Sequence, residues 1–213
     1  MLECEIRRPY FVERQLRQWI SECDKTHGAC RRNITDPPRL PTRVLEIQAP
    51  LRVRLFSPSV DSPIHAPYVS LSHCWGGMVP LRLTKETLNT FQNTGILWDA
   101  LPLTFKHALM ITWQLDIRYV WIDSLCIIQD DGDDWKREAA NMAGIYSGSY
   151  LTLAATSAAN SSVGFFESEP ISYEVCEEVQ TFPHPDQDER DYRISFRMSR
   201  GIFTKQPLLK RAW

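Results

Sequence analysis

The sequence predicts an α/β domain: a mostly parallel sheet flanked by helices, with an N-terminal helix and extra β elements. Three observations point there. The runs YVSLS, YVWID and YLTLAAT are short and apolar, as strands covered on both faces must be. Segments with helical periodicity precede the second run and separate it from the third. The resulting order is strand, helix, strand, helix, strand, and such alternation favours parallel strands with helices packed across them.

Taken in order, Val12, Leu16, Trp19, Ile20 and Cys23 recur at helical spacing and predict an amphipathic helix over about residues 10–23. The polar stretch that follows closes on Pro37, Pro38 and Pro41, so residues 1–39 read as a helical lead-in and linker. Residues 40–213 read as the main domain, with its core at 68–166. Its first segments, RVLEI and LRVRLF, suit a hairpin, because Leu51, Val53 and Leu55 alternate as in a half-buried strand. YVSLS then runs into a tight turn at His73-Cys74-Trp75-Gly76-Gly77.

Phe105, Ala108, Leu109, Thr112 and Leu115 form one helical face behind Pro102, a residue tolerated in a first turn. The acidic run Asp130, Asp131, Asp133, Asp134 supplies a cap for a second helix over about 134–147. Its apolar positions are Trp135, Ala139, Met142 and Ile145 or Tyr146, and YLTLAAT follows as another buried strand. Trp19, Trp98, Trp113 and Trp121 read as core or core-edge anchors, since large rings dominate buried area. Residues 167–191 are acidic and read as a solvated insertion before YRISFRM resumes alternation.

Composition narrows the function classes. The 213 residues carry a formal charge of -2, so no strong positive field draws the chain to nucleic acid. The N-terminus lacks the apolar core of a secretory signal, and no stretch has the length of a membrane span. A cytoplasmic protein with free thiols at its six scattered cysteines is the expectation.

Ligands of open parallel sheets bind beyond the carboxyl ends of the strands. Two loops fall there, Ser72 to Gly77 and Asp123 to Gln129. They offer Ser72, His73, Trp75, Gly76, Asp123 and Cys126 as ligand-binding residues, with Trp135 close by on the next helix. Glu138 stands beside the apolar stripe of that helix, where a carboxylate is either a prepared acid or base or a helix-edge partner of Lys136 and Arg137.

The order and spacing of YVSLSHCWGG, LPLTFKHALMITWQLDIRYVWIDSLCIIQDDGDDWKREAANMAGIYSGSYLTLAA resemble the HET domain of fungal heterokaryon-incompatibility proteins. That resemblance implies a role in non-self recognition that ends in programmed cell death, with the HET domain as effector and other regions as sensors. It also implies a remote likeness to TIR domains, flavodoxin-like units of which some cleave the nicotinamide–ribose bond of NAD. Trp135-Lys136-Arg137-Glu138 is similar to the TIR helix motif that carries the catalytic glutamate. Glu138 is therefore the catalytic candidate, NAD the substrate candidate, and no resident cofactor or metal is expected. HET domains continue beyond the motif Arg211-Ala212-Trp213, so the resemblance implies that the domain is incomplete here.

Other constellations are weaker. Cys23, His27 and Cys30 lack a fourth zinc ligand unless Cys4 approaches. His73 and Cys74 are neighbours on a strand and point to opposite faces, so they do not suit a nucleophile and its base, whereas Cys126 with His73 could face the same pocket. A non-enzymatic module that self-associates and recruits other incompatibility proteins is the competing reading.

Overall fold

A tight reversal at Leu51, whose φ is +65°, folds β1 (Val44–Ala49) back on β2 (Arg52–Phe56). This is the expected hairpin, registered through Leu45↔Leu55 and Ile47↔Val53. In the computed structural model the described residues are 2–28, 37–77, 81–164 and 166, plus the short pair β6 (Val175–Cys176) and β7 (Phe196–Arg197). Cys30, most of 167–191 and Arg211-Ala212-Trp213 lie outside them.

β3 (Tyr68–Ser72) and β4 (Tyr119–Ile122) arise from the two most apolar runs and are almost wholly buried. They pair in parallel, and β5 (Leu151–Ala154) pairs in parallel on the other side of β3. β4 also pairs antiparallel with β1, giving the order β2-β1-β4-β3-β5. The sheet is thus mixed rather than mostly parallel. A hairpin joined by so short a turn must be antiparallel, and it extends the sheet at the β4 edge. Within the parallel part the first strand in sequence sits between the second and third, the order that opens a doubly wound sheet.

β5 is less buried than its sequence suggests, with Thr152 and Ala154 exposed and only Leu153 deeply covered. It is an edge strand with β3 as its one neighbour in this sheet, so only one face is roofed.

α1 (Leu2–Thr26) is longer than expected. Leu16 and Ile20 pack on the core, whereas Trp19 is 59% exposed. Of the predicted tryptophan anchors Trp121 is fully buried and Trp98 half-buried, but Trp113 joins Trp19 at the surface. Helix α2 (Lys85–Asn93) was not anticipated from periodicity; Thr84 and Thr87 start it by capping each other's backbone N–H.

α3 (Leu103–Gln114) follows Pro102 and buries the predicted face of Phe105, Ala108, Leu109 and Thr112. β4 passes directly into a helical turn, α4 (Asp123–Cys126). Asp131 then accepts from the N–H groups of Asp133 and Asp134 and opens α5 (Gly132–Gly148). Those backbone bonds, with Lys85 beside it, hold the Asp131 carboxyl below the usual range. No described helix is long and apolar enough to cross a membrane.

Candidate functional site

Asp134 and Glu138 stand one turn apart on α5, so both face the sheet while Trp135 projects outward, half exposed. Both acids are nevertheless buried, and a buried carboxylate needs a cation or donors. Arg43, immediately before β1, supplies them. Its Nε donates to the carbonyl of Cys126 at 2.6 Å and its Nη2 to Asp134 Oδ2 at 2.5 Å. Asp134 Oδ2 also accepts the N–H of Ile128 at 2.9 Å, and Arg137 binds Oδ1.

Glu138 is treated differently. Its side chain is 2% exposed, yet Oε1 lies 3.8 Å from both Arg43 Nη2 and Arg137 Nε. That is ion-pair range and too long for a hydrogen bond. Oε1 accepts no hydrogen bond among the described residues. Glu46, a third buried acid, makes the contrast: Arg54 reaches it at 2.5 Å and Arg118 at 2.6 Å.

Glu138 borders a cavity of about 330 Å³ between α5 and the loops flanking the β1–β2 hairpin. Pro38, Pro41, Pro58, Val60, Tyr68 and Asn141 form much of the rest of its wall. Tyr68 donates its hydroxyl to the carbonyl of Ile145 at 2.6 Å, and burial pushes its pKa up to about 12. The phenol is therefore a fixed neutral wall rather than a proton donor in turnover. A wall that mixes prolines and aliphatic residues with Glu138, Asn141, Arg39 and Thr42 suits a small polar ligand, and the volume lies at the lower end of the usual range.

His73, Trp75 and Asp123 gather elsewhere, at the carboxyl ends of β3 and β4. Trp75 donates Nε1 to Asp123 Oδ2 at 3.1 Å, and His73 Nδ1 lies 3.7 Å from Asp123 Oδ1. The same oxygen accepts the N–H of Ser124 at 2.7 Å. The His73 ring is 2% exposed and meets Phe105 edge-on, with centroids 5.0 Å apart. Ser72 is buried, its carbonyl taken by the N–H of Ala155. Gly76 has φ +67°, and Asn160 lies so close that any Cβ would stand 2.3 Å from its own.

The structure therefore brings His73, Trp75 and Asp123 together and sets Glu138 with Arg43 and Asp134. The cavity beside Glu138 includes none of Ser72, His73, Trp75, Gly76, Asp123, Cys126 or Trp135. It also lies toward the amino end of β3, at Tyr68, because α5 runs back along the sheet. Cys126 stands between the two groups and feels Arg43, Asp123 and Glu138. Burial, the largest influence, pushes its thiol up to about 12, which leaves the thiolate needed for nucleophilic attack scarce at neutral pH.

Arg43 was not anticipated as a site residue. Its one signal in sequence is a charged side chain directly before a run, Val44 to Ile47, that buries completely. Cys23 Sγ lies 3.4 Å from His27 Nδ1, and no group of three or more metal-ligating side chains occurs among the described residues.

No curated protein and no solved structure matches the chain. The heterokaryon incompatibility protein (HET) family matches it over residues 68–213, from β3 through α5 and β5 to the last residue. That span is more than half of the chain and holds Glu138, Asp134, His73, Trp75 and Asp123, while Arg43 and the hairpin precede it. The chain belongs to the heterokaryon incompatibility (HET) family, and its role lies in heterokaryon incompatibility.

Proposed function

We propose that this domain is a cytoplasmic effector of incompatibility that ends in cell death, and that it acts by hydrolysing the nicotinamide–ribose bond of NAD. One observation carries the reading: a buried glutamate that borders a cavity and keeps one carboxylate oxygen without a hydrogen-bond donor. A buried acceptor without a donor is costly, so a bound ligand that supplies one is favoured there. The cavity has room for a sugar and one ring, not for a whole dinucleotide.

In the reaction the bond from the ribose C1′ to the nicotinamide nitrogen breaks, and its electron pair neutralises the pyridinium ring. Positive charge appears on C1′ and the ring oxygen, where the Glu138 carboxylate stabilises it. Water then adds its oxygen to C1′ and releases a proton. The doubly wound start of the sheet and the Trp135-to-Glu138 motif support a remote relation to TIR domains.

The purified protein incubated with NAD should release nicotinamide, and Glu138→Gln should reduce release to background while keeping the wild-type melting temperature within a few degrees. If wild type and Glu138→Gln are equally inert and both kill cells, the enzymatic reading is wrong. In that case the exposed Trp19, Trp113 and Trp135 favour a module that self-associates or recruits other incompatibility proteins.

A further inference from the structure

We infer that Arg43 is the positioning residue of Glu138: it fixes where the carboxylate points and leaves Oε1 without a short bond of its own. The inference rests on the preceding assignment of Glu138 for its catalytic meaning, but the geometry stands by itself. Three partners hold the guanidinium, namely the Cys126 carbonyl, Asp134 Oδ2 and, at 3.8 Å, Glu138 Oε1. They come from α4 and from two successive turns of α5, so one side chain ties the end of α4 to α5.

Nη2 spends its short bond on Asp134 and approaches Glu138 only as a charge. Glu138 is thereby attracted and oriented without its acceptor being consumed. Arg137 cannot do this alone, because its side chain is 58% exposed and commits its terminal nitrogen to Asp134. Arg43 is buried, its side chain 9% exposed, and comes from a segment 91 residues before Asp134. A lysine would supply the charge but not a planar fork with several donors in fixed directions.

Two measurements on the full chain test the idea. The first compares the urea midpoint shift caused by Arg43→Lys in the wild-type and Glu138→Gln backgrounds. If Arg43 acts on Glu138, the shift should be at least halved when the carboxylate is replaced, since interacting pairs are non-additive. The second follows nicotinamide release by Arg43→Lys, where kcat should fall on the order of a hundredfold and KM should stay within about twofold. A purely structural arginine would leave that split unchanged once the folded fraction is allowed for.

Equal midpoint shifts in both backgrounds overturn the inference, as does a folded Arg43→Lys protein with wild-type kcat. Non-additive shifts in a protein that releases no nicotinamide refute the NAD reading and leave Arg43's control of Glu138 in place.

Discussion

The two polar groups around α4 solve the same problem in different ways. At its start Asp123 is the shared acceptor of a mostly neutral cluster, with Trp75 and Ser124 as donors and the His73 ring beside it. Beyond its end Arg43 is the shared cation of an ionic cluster with Asp134 and Glu138. Asp123 has several partners, Trp75 and His73 in the turn after β3 and Ser124 next to it in α4, so losing one leaves others within reach. Arg43 is deeply covered and its one short ionic bond is to Asp134, itself buried, so losing that acid leaves the charge uncompensated.

An identical substitution in each cluster puts this difference to the sharpest test. Asp134→Asn removes the charge that holds Arg43 and should cost about 3–5 kcal/mol of unfolding free energy. Asp123→Asn keeps one oxygen and a similar shape, loses a charge-assisted bond in a spot with an 18% exposed side chain, and should cost about 1–2 kcal/mol. Urea denaturation of both proteins measures the gap. Equal costs would mean that the ionic cluster is far better hydrated than its burial implies.

The same contrast marks what the sequence made legible. The hairpin, β3, β4, α3 and α5 follow from local pattern, and all were expected close to where they lie. Glu138 was noticed because it interrupts an apolar stripe on its own helix. Arg43 was missed because its partner Asp134 is 91 residues away, and no local period encodes a pairing across that distance. Convergence of Glu138 with His73 and Trp75 in one pocket is the expectation from a rule about strand ends, and the cavity that Glu138 borders is lined instead by Tyr68 and the segments flanking the hairpin. Helix α2 escaped notice because its core contact rests mainly on Phe91 and Leu88, too few positions to set a period. Trp19 shows the limit of a stripe: it lies about 100° around the helix from Ile20, enough to leave the buried face.

Within the neutral cluster, the glycines of the His-Cys-Trp turn separate packing from backbone effects. Gly76 and Gly77 share nearly the same φ, +67° and +70°. A methyl group on Gly76 would meet Asn160 Cβ at 2.3 Å and the Ala159 carbonyl at 2.5 Å, while one on Gly77 would meet nothing within 4 Å. Gly77→Ala should therefore cost only the left-handed backbone penalty of about 1 kcal/mol. Gly76→Ala adds displacement of the segment after β5 and should cost about 2–4 kcal/mol. If the two variants unfold at the same urea concentration, the segment around Asn160 yields freely and does not clamp the turn.

That clamp has one titratable member, His107 on α3. The ring packs on Phe166 with centroids 4.3 Å apart, and its Cε1 closes the space beside Gly164. Gly164 in turn donates its N–H to Thr104 Oγ1, and Thr104 N–H donates to the Ser161 carbonyl. Burial lowers the His107 pKa from 6.5 to about 4, so the folded protein binds fewer protons here than the unfolded chain. The stability it contributes is complete above about pH 6.5 and is lost as the pH falls toward 4. The expected loss is on the order of 2 kcal/mol, smaller than the full shift would give because solvent can reach the ring as the clamp loosens. Urea midpoints taken from pH 7 to pH 4 should fall more steeply in the wild type than in His107→Gln. A parallel decline in the two proteins would show that His107 is not the source of the acid sensitivity.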